Sequence, residues 1–373
     1  MGNRSEAARL RLAIVCSWLN QYGGAERVLE VIHDMYPQAP VYTSIYWPRA
    51  LPQRYGSWDI RPSFLNRLPF IKRWHRPFLA LYPLGFESFD LRDYDLVLSV
   101  TSAFAHGIIT SSHTQHVCYC LTPARFLWNY HTYVEREELG RLERLALLPL
   151  LQRLRLWDRS AAERVDHFIA ISTTVQRRIQ SHYGRDSQII YPPVRIGHSD
   201  RDCEPEDYFL IVSRLVPYKR IDLAVRAFNR LGLPLRIVGD GRDRAALEAM
   251  AKPNVQFMGH LSDVEVREQM ARCRAFVFPG EEDFGIAPVE AMAAGRPVIA
   301  YGAGGALDTV IEGESGTFFR EPNPDALIEA VRRLDQYHFD PDHLRTHARR
   351  FGIARFEREL RATLEKAQQL AGR

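Results

Sequence analysis

The chain has 373 residues, of which 46% are apolar, and a formal net charge of +4. This length exceeds one compact core of ordinary size, so we expect two domains of under two hundred residues each. The apolar fraction excludes an intrinsically disordered protein, and no run approaches the roughly 20 apolar residues that span a bilayer.

Cysteine usage indicates a reducing compartment. The five cysteines are Cys16, Cys118, Cys120, Cys203 and Cys273. An odd number without Cys-x-x-Cys spacing argues against a disulfide framework and against a structural zinc site. Cys118 and Cys120 are predicted to share one face of a buried strand. The apolar segment 10–19 mimics a signal peptide but lacks a small-residue cleavage site, so we interpret it as the first strand.

Apolar runs of strand length alternate with helix-length segments along both halves of the chain. The predicted strands are 12–16, 41–44, 96–100, 115–120 and 167–171, followed by 208–212, 235–238, 255–257, 275–278 and 297–300. Later helices are predicted at 324–334 and from 342 to 369. Such alternation predicts parallel βαβ units with right-handed crossovers, and therefore an α/β fold of two Rossmann-like domains.

The domain boundary is predicted at the consecutive prolines Pro192 and Pro193, which exclude helix and favour an extended linker. We therefore assign residues 1–194 to an N-terminal domain and 195–349 to a C-terminal domain.

Positive charge is concentrated in the first half. Residues 1–190 contain 23 Lys and Arg against 17 Asp and Glu, and the surplus lies mainly in the segment 67–78, where basic and aromatic residues interleave. Its membrane-facing candidates are Lys72, Arg73, Trp74 and Arg76. Such a segment fits an anionic membrane interface, and a solvated basic loop is the alternative interpretation. No nucleic-acid fold signature accompanies it.

A second candidate for membrane contact is the leucine-rich segment 142–157, which contains several arginines. Pro149 is expected to kink or break a helix there. Because its leucines cover more than one helical face, packing inside the N-terminal domain is an equally good interpretation.

Two carboxylates, Glu282 and Glu290, flank a glycine turn between a predicted strand and a predicted helix. A strand, a glycine turn and a helix form the geometry in which a phosphate binds at a helix N-terminus. Such a pair of acids is common by chance, but the surrounding Phe-Gly and Glu-Ala-Met-Ala-x-Gly context makes it specific. The pattern indicates a nucleotide-sugar site.

The segment 279–297 resembles the signature of the retaining glycosyltransferases of family four, also called glycosyl transferases group 1. Segments 213–219, 237–241, 254–261 and 304–305 follow in the order of that family. In the first half, 23–27 and 118–128 look like a subgroup of bacterial mannosyltransferases that build surface polysaccharides. The resemblance implies the GT-B fold, two Rossmann-like domains facing across a cleft, with residues 350–373 returning to the N-terminal domain.

The resemblance also implies roles for individual residues. Arg214 and Lys219, in a loop after a strand, neutralise the diphosphate. Glu282 accepts hydrogen bonds from the transferred sugar and Glu290 from the ribose. The remaining donor-binding candidates are Gly23, Gly24, Gly239, Asp240, Phe284, Gly285, Ile286 and Ala287.

Two further positions bear on catalysis. His106 matches a basic position of the subgroup and is a candidate for transition-state contact, although a structural histidine is an equal alternative. Leu121 stands where many relatives carry a histidine that contacts the donor sugar. We expect no metal, because Asp93-Tyr-Asp95, which has the letters of a metal-binding Asp-x-Asp, is interpreted as a helix-to-strand turn.

The sequence thus predicts a metal-independent retaining hexosyltransferase in bacterial polysaccharide biosynthesis. It has no cofactor; the substrate is GDP-mannose or another NDP-hexose, and the acceptor is a polyprenyl-diphosphate-linked sugar or an oligosaccharide. We expect a cytoplasmic protein, peripheral on the inner face of the plasma membrane, that binds no nucleic acid. The alternatives are a nucleotide-sugar epimerase of the same fold and a non-catalytic sugar-binding subunit of a polysaccharide assembly complex.

Overall fold

A computed structural model of the chain describes residues 10–74, 76–129, 141–196 and 203–371. The chain divides into two compact units, one formed by Met1–Tyr191 with Glu357–Arg373 and the other by Pro192–Phe356. The domain limits inferred from the sequence, 1–194 with 350–373 and 195–349, stay a prediction. Within the described residues, no helix combines the length and the apolar character needed to cross a membrane.

The first unit contains a parallel sheet. Its strands are β1 (Leu12–Cys16), β2 (Val41–Thr43), β3 (Ile60–Pro62), β4 (Leu96–Thr101), β5 (Gln115–Cys120), β6 (His167–Ala170) and β7 (Ser187–Ile189). They lie in the order β3-β2-β1-β4-β5-β6-β7. The five predicted strands are confirmed, and Cys118 and Cys120 are both buried on β5. The prediction missed β3 and β7, the two edges of the sheet, which carry little apolar sequence.

The helices of the first unit are α1 (Gly24–Met35), α2 (Tyr82–Glu87), α3 (Arg125–Trp128), α4 (Arg141–Glu163) and α5 (Thr173–Tyr183). Helix α4 continues through Pro149, so Pro149 does not break the helix, while the kink expected as the alternative stays a prediction. Pro149 is exposed, and its ring leaves the carbonyl group one turn earlier without the usual N–H partner. Asp93 and Asp95 precede β4 in a turn, as interpreted, and Asp95 accepts hydrogen bonds from Arg11.

The second unit contains another parallel sheet. Its strands are β8 (Phe209–Val212), β9 (Leu235–Val238), β10 (Val255–Gly259), β11 (Ala275–Phe278), β12 (Val298–Tyr301) and β13 (Gly316–Phe319), in the order β10-β9-β8-β11-β12-β13. The five predicted strands are confirmed and β13 was missed. The two parallel sheets confirm the predicted α/β fold of two Rossmann-like domains. Because parallel strands end at one edge, the loops after β8, β9, β11 and β12 lie together there.

The remaining helices are α6 (Ile221–Leu231), α7 (Arg244–Met250), α8 (Asp263–Arg272), α9 (Ile286–Ala293), α10 (Ala306–Thr309), α11 (Pro324–Arg333), α12 (Pro341–Arg349) and α13 (Ile353–Ala371). The single helix predicted over 342–369 is wrong, since α12 and α13 are separate. Between them the Phe351 carbonyl accepts a hydrogen bond from the Val194 N–H at 2.9 Å, and Phe351 itself is buried.

Candidate functional site

Glycines bring the loops after β8 and β9 into backbone contact. A Cβ atom on Gly239 would lie 1.9 Å from the Ser213 carbonyl oxygen, and one on Gly241 would lie 2.2 Å from that of Leu215. The loops are joined by hydrogen bonds from Ser213 N to Val238 O and from Leu215 N to Asp240 O, at 3.0 and 2.9 Å. The loop that carries Arg214 is therefore held against the neighbouring strand end.

The loop after β11 approaches the same cationic loop through Gly280. A Cβ atom there would lie 2.8 Å from the Lys219 carbonyl oxygen. On its other side this loop meets Gly304 and Gly305, and the Glu282 carbonyl accepts a hydrogen bond from Gly305 N at 2.8 Å. These contacts place Lys219 and Glu282 next to each other.

The cationic and acidic side chains meet directly. Lys219 Nζ forms an ion pair with Glu282 Oε1, and both side chains are largely buried. Arg214 is exposed, and its Nη2 lies 3.3 Å from the Tyr218 hydroxyl oxygen. Lys219 Nζ lies 5.3 Å from the centre of the Tyr218 ring. Arg214 and Lys219, two of the predicted catalytic residues, therefore both contact Tyr218, and a third, Glu282, joins them through its ion pair with Lys219.

Tyr218 is the residue that sequence reasoning missed. It lies in the 3-10 helix Pro217–Lys219, where Pro217 fixes the first backbone angle. The available signal was its position between the two predicted phosphate-binding cations. A ring that contacts one cation and a hydroxyl that contacts the other suit it to holding both.

Helix α9 begins at the glycine turn of the predicted signature. Its N-cap, Gly285, has φ 91, and no side chain caps the helix N-terminus. Phe284 is buried and packs edge-on against Phe351, with ring centroids 5.7 Å apart. Ile286 and Ala287 supply the first helical N–H groups, and Glu290 is half-buried one turn later. A helix N-terminus of this kind presents N–H groups to an anion.

Asp240, another predicted donor-binding residue, is exposed. Its carboxylate accepts hydrogen bonds from Gly241 N at 2.7 Å and from Arg244 Nη1 at 3.1 Å. These two partners hold the pKa of Asp240 below its usual value. An ionised carboxylate at this turn is suited to accept hydrogen bonds, while its role toward a donor stays a prediction.

In the first unit, a small open pocket lies at the end of β1 and the start of α1. Its lining includes Ser17, Gln21, Glu26, Ser102 and Leu121. Glu26 is buried, and its carboxylate lies close to Gly23, since a Cβ atom on Gly23 would be in ordinary contact with Glu26 Oε2 at 3.5 Å. The pocket combines polar groups with an apolar wall.

Gly23 and Gly24 both lie beside this pocket. Gly23 is the N-cap of α1, where no side chain forms a capping hydrogen bond, and Gly24 is the first helical residue. The contact of Gly23 and Gly24 with a donor stays a prediction.

His106 is buried, with 1% of its surface exposed. Its Nε2 lies 3.3 Å from an Asp158 carboxylate oxygen and its Nδ1 lies 3.5 Å from the Thr101 hydroxyl. The same carboxylate accepts hydrogen bonds from Trp128 Nε1 and the Tyr183 hydroxyl. Burial opposes protonation of His106, but the Asp158 carboxylate outweighs it and raises the histidine pKa. His106 therefore has the buried, hydrogen-bonded environment of a structural histidine, which was the alternative to substrate contact. Its contact with a substrate stays a prediction.

A second buried histidine makes stability sensitive to acid. His116 is fully buried with Nε2 2.8 Å from the Ser99 hydroxyl, and burial, reinforced by His106, lowers its pKa to about 3. The unfolded chain therefore binds more protons below pH 6.5, so this contribution to stability is present above pH 6.5 and is lost as the pH falls toward 3. We expect the wild-type protein to lose about 2 kcal/mol more between pH 7 and pH 5 than His116→Asn.

Chemical denaturation at the two pH values measures this difference. His113→Asn is the matched control, because His113 is exposed in the same unit. Equal pH dependence in the wild type and in His116→Asn would contradict the assignment.

Two family models match the chain. The model described as Glycosyltransferase Family 4 matches residues 22–197, and the model described as Glycosyl transferases group 1 matches residues 201–350. Together they cover most of both units.

Curated relatives and solved structures agree with these matches. A GDP-mannose-dependent alpha-mannosyltransferase of Mycolicibacterium smegmatis is 32% identical over 210 residues, covering 53% of each chain. The O-antigen chain mannosyltransferase RfbU of Salmonella typhimurium is 29% identical, covering 48% of this chain and 56% of its own. The chain spans about half the length of the curated relatives it matches. A structure of Anabaena HepE with UDP and glucose matches with a TM-score of 0.68 at 19% identity, covering 96% of this chain and all of that one.

Proposed function

Because the chain belongs to the glycosyltransferases of group 1 and family 4, we propose that it transfers a hexose, with mannose favoured, from a nucleotide sugar to a lipid-linked or saccharide acceptor, retaining the anomeric configuration. The observation that carries this proposal is the contact of Arg214 and Lys219 with Tyr218 together with the Lys219–Glu282 ion pair, within the same parallel-sheet unit as the uncapped start of α9.

The first requirement of the reaction is charge neutralisation. Cleavage of a sugar–nucleotide bond leaves a diphosphate with additional negative charge, which fixed cations and helix dipoles stabilise. Arg214 supplies a bidentate guanidinium group and Lys219 a compact ammonium group. The N–H groups of Ile286 and Ala287, at the N-terminus of α9, supply the positive end of a helix dipole. These groups support a reaction that needs no metal ion and no other cofactor.

The second requirement is orientation of the sugar. Glu282 is paired with Lys219. When a nucleotide sugar binds, the hexose hydroxyls would donate hydrogen bonds to the Glu282 carboxylate oxygens, and the β-phosphate would form an ion pair with Lys219. The ion pair between Lys219 and Glu282 would then be replaced by contacts of each side chain with the same ligand. Neither of these largely buried charges would be left unpaired. Glu290, one turn into α9, would accept from the ribose.

Retention follows from the resemblance to family four. The departing phosphate helps to remove the acceptor proton while the acceptor attacks the same face of the sugar. Exclusion of water matters here, because hydrolysis of the donor competes with transfer.

GDP-mannose is the favoured donor because two of the relatives described above are mannosyltransferases, one of them named as GDP-mannose-dependent. The pocket lined by Ser17, Gln21 and Glu26 is proposed to hold an acceptor sugar. Surface-polysaccharide synthesis is the context that the name of the relative RfbU, an O-antigen chain mannosyltransferase, suggests, and a peripheral position on the cytoplasmic face is part of our proposal.

A panel of nucleotide sugars, incubated with a polyprenyl-diphosphate-linked sugar in the presence of EDTA, tests the proposal. We expect GDP-mannose to yield GDP and an extended saccharide, whose new anomeric centre NMR identifies as retained. The EDTA-free reaction is the control for metal independence. Release of a free epimer would favour the epimerase instead, and binding of nucleotide sugar without turnover on any acceptor would favour the non-catalytic subunit.

A further inference from the structure

A turn formed by residues 68–74, here called the aromatic turn, exposes two large aromatic side chains on the first unit. Phe70 is 75% exposed and Trp74 is 69% exposed, and their rings stack with centroids 6.1 Å apart. Ile71, between them, is fully buried. The core therefore anchors the turn at Ile71, while its two aromatic residues project outward.

The backbone of the aromatic turn is strained where it exposes Phe70. Phe70 has φ 62, a left-handed conformation that is unfavourable for a bulky residue other than glycine. Hydrogen bonds from Arg73 N and Trp74 N to the Phe70 carbonyl, at 3.1 and 2.9 Å, maintain it. Strained backbone of this kind is concentrated at functional positions, so the exposed Phe70 is a candidate for contact with something else.

A further hydrogen bond fixes the position of the turn. The Asn20 side-chain amide donates to the Lys72 carbonyl at 3.2 Å. Asn20 lies between Leu19 and Gln21, which line the pocket of the first unit. The aromatic turn is thus attached to the loop that borders this pocket.

The charge of the surrounding segment is uniformly positive. Residues 60–86 contain no Asp or Glu and five Lys or Arg residues, namely Arg61, Arg67, Lys72, Arg73 and Arg76; Arg61 is paired with Asp59, just outside the segment. Arg73 packs over the Trp47 ring at 5.8 Å from its centre. Arg76 lies in the 3-10 helix Arg76–Leu81, and its side chain and all of His75 lie outside the described residues. The aromatic turn therefore presents an apolar apex beside cations.

Neighbouring elements of the same segment add exposed apolar surface. Phe64 is 42% exposed and Leu84 is 57% exposed. Their elements pack together, since Leu65 lies beneath Gly85, with its Cδ1 2.6 Å from the position of a Cβ atom on Gly85. Several large apolar side chains thus face solvent within one acid-free segment.

We propose that the aromatic turn is a contact surface for an anionic lipid bilayer. Aromatic rings favour the headgroup region, and adjacent Lys and Arg residues are attracted by anionic lipid. Nucleic acid would match the cations, but a duplex backbone would leave the Phe70 and Trp74 apex exposed to water. The bilayer is the occupant that matches both the charge and the apolar apex.

Sedimentation of the full-length protein with phosphatidylcholine vesicles, with and without an equal share of phosphatidylglycerol, tests the proposal at low salt. We expect binding only to the anionic vesicles. Lys72→Gln/Arg73→Gln is expected to lower the partition coefficient about 30-fold, since each cation contributes about fivefold. Phe70→Gly/Trp74→Ser is expected to lower it on the order of tenfold. Its midpoint of thermal unfolding should not fall, because glycine relieves the strain at position 70.

Two matched variants in the second unit serve as controls. Arg226→Gln/Arg332→Gln removes two exposed charges, and Met258→Ser/Val264→Ser removes two exposed apolar side chains; both should bind like the wild type. The proposal is overturned if the wild-type protein does not prefer anionic vesicles, or if both turn variants bind them normally. The proposal is also overturned if the Lys72→Gln/Arg73→Gln variant binds anionic vesicles like the wild type and loses only its binding to an oligonucleotide duplex.

Discussion

Replacing Arg214 by alanine is expected to lower turnover of the nucleotide sugar by about 10²-fold or more, because a fixed cation that stabilises developing charge has no substitute in water. The guanidinium is exposed and its contact with Tyr218 is 3.3 Å, so its removal should leave the fold intact. Steady-state kinetics with the donor identified in the panel measures the effect. Arg214→Lys should recover part of the loss, since it keeps the charge without the bidentate geometry.

Arg226→Ala is the matched control for Arg214→Ala. Arg226 is an exposed arginine in the same unit, on helix α6, and its loss should leave turnover unchanged. Calorimetry adds a second readout, in which Arg214→Ala should weaken the affinity for the nucleoside diphosphate alone. Unchanged turnover and unchanged affinity in Arg214→Ala would remove this residue from the site.

The sequence predicted the central strands well and the edge strands poorly. A central strand of a parallel sheet is covered on both faces, so it appears as a continuous apolar run such as Leu12–Cys16. Ile60–Pro62 and Ser187–Ile189 are edge strands with exposed residues, and their short polar sequences do not differ from those of loops. Gly316–Phe319 is buried, but its first residue is a glycine preceded by turn-forming residues, which conceals the strand.

The candidate site was predicted in part, for a related reason. Loop position after a strand correctly brought Arg214, Lys219 and Glu282 into one unit. The Lys219–Glu282 ion pair and the bridging position of Tyr218 depend on how two loops pack, which sequence spacing does not specify. His106 shows the converse, because its partner Asp158 lies 52 residues away on α4. No local pattern distinguishes such a buried pair from a histidine that faces a ligand.

Alanine at Gly239 is expected to cost about 3 kcal/mol or more of the free energy of unfolding, because two effects act there together. Its φ of 126 is unfavourable for a residue with a Cβ atom, and that atom would lie 1.9 Å from the Ser213 carbonyl oxygen, a backbone atom that cannot turn aside. Denaturant unfolding of the purified variant measures the loss.

Three other glycines of the same unit separate the two effects. Gly232→Ala tests backbone strain alone, since its φ is 73 and no atom lies within 4 Å of the added Cβ; about 1 kcal/mol should be lost. Gly305→Ala tests contact alone, since its φ is −70 but the added Cβ would lie 2.3 Å from Phe284 Cα; we expect a loss of about 1–3 kcal/mol. Gly302→Ala is the control, with its nearest atom at 3.5 Å.

The variant at Gly305 also connects stability with the proposed donor site. Displacing Phe284 displaces the loop whose Glu282 carbonyl is bonded to Gly305 N, so the affinity for the nucleotide sugar should fall in Gly305→Ala and not in Gly232→Ala. If Gly305→Ala is as stable as Gly302→Ala and binds the donor normally, the glycine contacts do not position Glu282. The Lys219–Glu282 pair would then need another explanation than the close approach of these loops.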